Sequence, residues 1–493
     1  MKRIFAILMT ICLLAGALSI TAFAAEAPAE GVVIRVSAKD KKTSKDVAIK
    51  DYTEFDEGWE GAIDFALSEE EREKYSRVIV DFYGDWTANE DGEFGDSWRF
   101  ASDWGDGFQY STIYVPENVN ITLNLNGHTI DRDLKESEYD GEVIYIDEGA
   151  DVIINNGTIT GGWSCNGAGG IHIHDANVTL NNVSVIGNKV DDDDGAGIAL
   201  YDEAELTMNG GCVSHNLSYN AVYGGGVYIH KSSAFFTDVS FRGNQGIHRS
   251  THGAAVYVDK GTLVMTGCEI VGNGLTKTST GELCSVAYSI MDISNGSEVA
   301  LKETTFSENG YGKETAVDLN TSKYTTVINS VASHLTMERC SFKANNQVYL
   351  IQSEAAVFKV FDSDFTENNS FAFRGNCAEG FNSAFTKCRF SYNESMLSLK
   401  DTFYFNTSNA GLSFVDCQFG DATFNNRRAA KFVDPDRQNS AGSIFGEGSP
   451  VMIVAILALI ASAVSIFLTV YYNKKKVAPT AVDAKETEDE DEV

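Results

Sequence analysis

Between Ile121 and Phe419 one phrase keeps returning, and no other feature of the chain constrains its fold as strongly. Clear copies are LNNVSVIGN from Leu180, FTDVSFRGN from Phe236 and MTGCEIVGN from Met265. Aligned on the apolar residue three places before the closing Asn, it recurs at Ile130, Ile159, Val185, Val213, Phe241, Ile270, Phe306, Phe342, Phe365, Phe390 and Phe419. These positions span 289 residues in ten steps, a mean period of 28.9, with two long steps of 36 and short ones of 23 and 25. A unit this short cannot bury its own apolar face, so successive units must stack on one another.

Within each unit apolar and polar residues alternate over three to five positions and then meet Gly or Asn, which is the period of short strands joined by turns. Helical spacing is absent, which excludes helix-based solenoids. The segment resembles a right-handed parallel β-helix of the pectate-lyase-like superfamily, bacterial cell-surface type. The phrases that carry the likeness are NGHTI from Asn126, NNGTITGG from Asn155, GGIHIH from Gly169 and GGGVYI from Gly224, and it covers about 300 of the 493 residues. The resemblance implies an all-β chain: a right-handed parallel β-helix solenoid of about 11 coils, with a small N-terminal α/β cap. At a strand spacing of about 4.8 Å the stack would be roughly 50 Å long.

An Asn stands three residues after the aligned position at 188, 216, 244, 273, 309, 345, 368 and 393. Turned inward, such residues can bridge the amides of neighbouring coils and build a ladder. The alternative is a row of exposed turn residues; eight in register favour the ladder. Cys268, Cys340, Cys388 and Cys417 lie two residues before the aligned position, where alternation points them inward as small buried hydrophobes. Disulfides would be open only to neighbours such as Cys388 and Cys417. No C-x-x-C occurs, so a zinc ribbon has no support.

The two ends read as membrane signals. Lys2 and Arg3, the apolar stretch from Ile4 to Ile20 and the small-residue pattern ending at Ala24 spell a secretory signal peptide over residues 1–24. Residues 451–472 are 22 positions without a charge, which as a helix rise about 33 Å and span a hydrocarbon core. Lys474, Lys475 and Lys476 follow as a stop-transfer cluster, so a single C-terminal transmembrane helix would leave the body outside and the acidic tail, residues 473–493, in the cytoplasm. Between lie the cap region 25–115, the β-helix domain 116–426 and a polar linker, 427–450. In the cap, Glu60 to Leu67 reads as a short amphipathic helix and RVIVDF from Arg77 as a strand. The net charge of -32 argues against nucleic-acid partners.

Candidate chemistry gathers on one strand of each coil. Tyr145, His172, Ala199, Tyr228 and Tyr257 share an outward position, and Asp147, His174, Tyr201, His230 and Asp259 share the next. Aromatic and imidazole groups at coil spacing can stack sugar rings and hydrogen-bond hydroxyls; the bland alternative is ordinary cross-strand aromatic packing. Asp191, Asp192, Asp193 and Asp194 would suit calcium if backbone oxygens joined them, although consecutive side chains rarely converge on one ion. With Arg249 as base, the same loops can be read as a calcium-dependent lyase site. Trp98 and Trp104, in a region of 18 acids and 4 bases over residues 51–107, form a further candidate binding patch, with cap packing as the alternative.

The enzyme families that the likeness brings to mind carry signatures this chain lacks: the N-T-D, G-H-G and R-I-K set of the polygalacturonase-like hydrolases and the R-x-P-x-x-R pattern of the classical pectate lyases. Fold alone does not decide activity. The expectation is therefore a membrane-anchored extracellular adhesin or binding module for glycans or other surface polymers. A polysaccharide lyase or glycoside hydrolase is the alternative, and a purely structural surface protein the third. External protease on intact cells should remove the body and spare an epitope placed beyond Lys476; loss of that epitope, or a protected body, would reverse this topology.

Overall fold

The computed structural model describes residues 28–89, 94, 98–99, 109–110, 112–138, 141–219, 223–246, 252–277, 283–286, 288–310, 325–345, 349–368, 371–378, 383–390, 403–405, 412–419 and 422–423. The segments expected to be signal peptide, linker, transmembrane helix and tail lie outside them. Among the described residues no helix is long and apolar enough to cross a membrane.

The coil at residues 171–190 shows how the repeat becomes structure. Ile171–His174 forms a front strand, Asn177–Ile186 a longer back strand with a bend, and Lys189–Val190 a short third strand. Each pairs in parallel with its counterpart in the next coil: Ile171 with Ile198, Asn177 with Glu205, Lys189 with Leu217. Inward positions make a continuous apolar core, in which Ile144, Ile171, Ile198, Val227 and Val256 are fully buried. In the later coils the aligned position becomes Phe, and Phe306, Phe342, Phe365 and Phe390 stack face to face with centroids 4.6 to 5.0 Å apart.

The corners are made by residues in the left-handed region. Three places before each aligned position φ is positive: Asn156, Asn182, Gly210, Asp238, Gly267, Glu303, Arg339, Asp362, Lys387 and Asp416. Most are not glycine, a conformation that costs about 1 to 2 kcal/mol per residue and persists because the strands on both sides are locked in register.

The Asn residues are the locks. From Asn216 through Asn244, Asn273, Asn309 and Asn345 to Asn368, each side-chain Oδ1 accepts from the backbone N–H and from Nδ2 of the Asn one coil earlier, and Oδ1 of Asn188, the first of the series, accepts from the Gly162 amide. Each Nδ2 from Asn188 to Asn368 also donates to a backbone carbonyl across the corner. All seven are buried, so the ladder is internal; the eighth, Asn393, lies outside the described residues. The left-handed corner is filled by the residue just before several of them, such as Gly187, His215 and Gly243.

The unequal steps have local causes. A hairpin of Leu275–Lys277 with Leu283–Val286 follows the ladder residue Asn273 and accounts for extra length in a step of 36. The step of 23 is shortened between ladder and front strand: Ile351 follows Asn345 by 6 positions, whereas Val256, at the same register position, follows Asn244 by 12. The inward Cys column is also present: Cys268, Cys340, Cys388 and Cys417 are buried, and each thiol donates to a backbone carbonyl. Burial pushes the Cys268 thiol up to about 11 and Cys340 up to about 12.

The N-terminal region joins the stack through its sheet. Strand β1 (Ile34–Asp40) pairs antiparallel with β2 (Asp46–Tyr52) and with β3 (Tyr75–Phe82), and β3 pairs in parallel with Asn120–Asn124, covering the edge of the first coil. The helix expected from Glu60 starts earlier, as α1 (Phe55–Leu67), and is followed by α2 (Glu69–Lys74). Trp59, Ala62, Ile63 and Ala66 give α1 its buried stripe. Trp59 and Trp86 are core residues, with Phe55 stacked on Trp86 at 5.6 Å.

Replacing Asn273 by Ala strips partners from its neighbours along the ladder and should lower unfolding free energy by about 1 to 3 kcal/mol. Arg242→Ala, on the solvent side, should cost less than about 1 kcal/mol. Urea denaturation checks both, and equal small effects would show that the ladder does not hold the corners.

Candidate functional site

The front strands place their outward side chains in columns, because parallel in-register pairing repeats the same position once per coil. Tyr145, His172, Ala199, Tyr228 and Tyr257 occupy one column, and His174 pairs with Tyr201, and His230 with Asp259, in the next. The sequence brings these groups together as expected. What their rings do is different from an open platform.

The rings lie against each other. Tyr145 meets His172 at 4.5 Å, His172 meets Tyr201 at 4.9 Å, Tyr201 meets Tyr228 at 5.4 Å and Tyr228 meets Tyr257 at 5.7 Å. Tyr228 and Tyr257 are each 8% exposed. Their faces are occupied by neighbouring rings, and burial raises the phenol pKa values of Tyr201, Tyr228 and Tyr257. His172, held between two tyrosines, is pushed by burial down to about 3 and is neutral. Among the described residues of this face the exposed tyrosine ring is Tyr223, 39% exposed and packed on Tyr257 at 4.5 Å and on His252 at 5.6 Å. Sequence reading passed over it because it precedes the front strand, outside the two aligned columns.

Imidazole–carboxylate pairs recur along this face. His174 Nδ1 lies 3.4 Å from Asp147, and His230 Nδ1 lies 2.8 Å from Asp259, whose carboxylate also accepts from Asn295. The most enclosed pair is His252 with Asp292. Asp292, 2% exposed, takes Nδ1 of His252 at 2.8 Å, the Ser289 hydroxyl at 2.8 Å and Nδ2 of Asn329 at 3.1 Å. His252 keeps about a third of its side-chain surface open and packs on Tyr288 at 4.7 Å. Asp292, Ser289 and Asn329 come from coils joined by a 36-residue step, and periodicity alone gave no sign of them.

The four aspartates separate into different tasks. Asp193 accepts from the Gly167 and Asp194 amides, while Asp194 accepts from the Tyr223 amide and hydrogen-bonds to the Tyr228 hydroxyl. Among the described residues no three His, Cys, Asp or Glu side chains come together to hold a metal, and of the candidate calcium ligands Asp191, Asp192, Asp193 and Asp194 the carboxylates of Asp193 and Asp194 are engaged by separate backbone amides. Arg249 and Trp104 lie outside the described residues, and Trp98 lies in the strand Trp98–Arg99, paired with Gln109–Tyr110.

Burial is the largest influence on Asp194 and pushes its carboxyl up to about 7. A carboxyl raised in the folded state favours the protonated form, so its contribution to stability falls as pH rises from about 4 through 7. Asp194→Asn should flatten that window by an amount on the order of a few kcal/mol. Urea midpoints at pH 4.5 and pH 7.5 check this, and an unchanged pH slope would place the carboxyl in water.

No curated protein and no solved structure matches the chain. Residues 113–306 match the family model described as a right handed beta helix region. That segment is thereby described as right-handed β-helix, and the parallel pairing of strands continues beyond it through Phe419.

Proposed function

We propose that this is a membrane-anchored extracellular protein whose β-helix binds glycans or other surface polymers along the front sheet. The observation that carries the reading is Tyr223: an exposed ring, backed by buried aromatics and flanked by the half-open His252. A ring of this kind, fixed by packing, can stack a sugar without losing side-chain freedom, while adjacent imidazole and carboxylate groups hydrogen-bond hydroxyls. A rigid stack repeating imidazole–carboxylate pairs along its axis suits an extended polymer better than a small isolated ligand.

The signal peptide and the apolar segment 451–472 support a tethered, outward-facing body, and the acidic balance favours partners that are not polyanions. A glycan-array screen of the protein, followed by affinity measurements on the hits, tests the binding reading. Tyr223→Ala should weaken binding at least tenfold, whereas Tyr145→Ala, whose ring is stacked between neighbours, should change it little. Unchanged binding by the Tyr223 variant would move the site off this face.

A further inference from the structure

We propose that the N-terminal cap carries a binding site for a small organic anion, a carboxylate or phosphate on a ring-sized body, in the cavity where the cap meets the first coil. The cavity measures about 330 Å³, at the small end of ligand sites, which run from about 300 to 1,000 Å³. The turn after β1 supplies Lys41, the end of α1 supplies Phe65, and α2 with the start of β3 supplies Arg72, Tyr75 and Arg77. Asn118 and Asn120, at the start of the first coil, complete the lining. The cavity shares no residue with the front-sheet site, so it does not rest on the glycan reading.

Its charge is the reverse of the chain's. The protein has 70 Asp and Glu against 38 Lys and Arg, and cations such as Arg35, Arg242 and Arg389 lie against carboxylates. Among the described residues Arg72 and Lys41 meet backbone carbonyls instead. Arg72 Nε donates to Ala66 O at 2.6 Å and Nη2 to Asn118 O at 3.4 Å, which fixes the guanidinium and leaves three of its five hydrogens unused. Lys41 Nζ donates to Arg72 O and keeps two more hydrogens. A carbonyl fixes such a group without neutralising it. Arg77 is matched by Asp151, and Glu71, the carboxylate among the lining residues, accepts from Lys74 at 3.2 Å. The unmatched charge of the lining is therefore that of Lys41 and Arg72.

Beside these cations the lining is apolar. Phe65 packs on Tyr75 at 5.4 Å, and Val78, 4% exposed, lines the same cavity. A ring can lie against these side chains while its anionic group takes the free hydrogens of Arg72 and Lys41. An acidic polymer would run past the two cations onto a surface whose net charge of -32 repels it, so the site selects a small anion.

The full-length protein, purified in detergent, is titrated by calorimetry at low ionic strength with phenyl phosphate, benzoate, inorganic phosphate and the neutral benzamide. Phenyl phosphate or benzoate should bind at one site, inorganic phosphate about tenfold more weakly for want of the ring, and benzamide not at all. Lys41→Met and Arg72→Gln should each lower affinity for the bound probe about tenfold, the loss of one charged hydrogen bond. Lys50→Met, which removes an exposed cation of β2 outside the cavity, should change nothing. Arg72 also ties two carbonyls, so urea midpoints are measured for every variant, and Lys41→Met, in an exposed turn, carries the test if Arg72→Gln does not fold. No binding of either charged ring, benzamide binding as tightly as benzoate, or affinity unchanged in Lys41→Met overturns the proposal, and each leaves the front-sheet reading standing.

Discussion

Parallel stacking of coils in strict register is the constraint on which everything else in this molecule depends. A strand of three or four residues has too few hydrogen bonds to hold its own position. Here each short strand is pinned by coils above and below, and at the corner the buried Asn from 188 to 368 fixes the backbone amide of one coil to the side chain of the next. Once register is fixed at the corner, unfavourable left-handed residues such as Glu303, Arg339 and Lys387 are tolerated beside it.

The same register that builds the core writes columns on the surface. A side chain at one position in a strand reappears about 4.8 Å away in the next coil, close enough for rings to stack and for a carboxylate to meet an imidazole. On the front sheet this has two opposite consequences. Where aromatic residues repeat in successive coils, they satisfy one another and close the face, as at Tyr145, His172 and Tyr201. Where the column changes character, at Tyr223 and His252, groups are left with one side open. Function is therefore expected at breaks in the repeat rather than in its most regular part.

Much of the fold was legible because a β-helix writes its period directly into the chain. The inward Asn and Cys columns followed from alternation and alignment, and the structure places them inside. The site was legible only in part. The shared register of Tyr228 with Tyr257 could be read from spacing, but whether their rings faced outward or each other depended on side-chain packing across coils. The aspartates from 191 to 194 looked like a cluster because they are adjacent, yet a turn sends adjacent side chains in different directions, and Asp193 and Asp194 are engaged by separate amides.

The sequence by itself determined the repeat, its parallel stacking, the buried ladder and the acidic character of the chain, since each follows from composition or from a period that recurs. Only the tertiary structure decided that Asp292 lies under His252, that Tyr223 is exposed, and that Asp194 turns its carboxyl to the Tyr223 amide and the Tyr228 hydroxyl. Asp292 comes from a step of 36, and Asp194, Tyr223 and His252 from positions that precede the front strands. Their meeting is set by how the coils superimpose in space, which the order of residues along one coil does not contain.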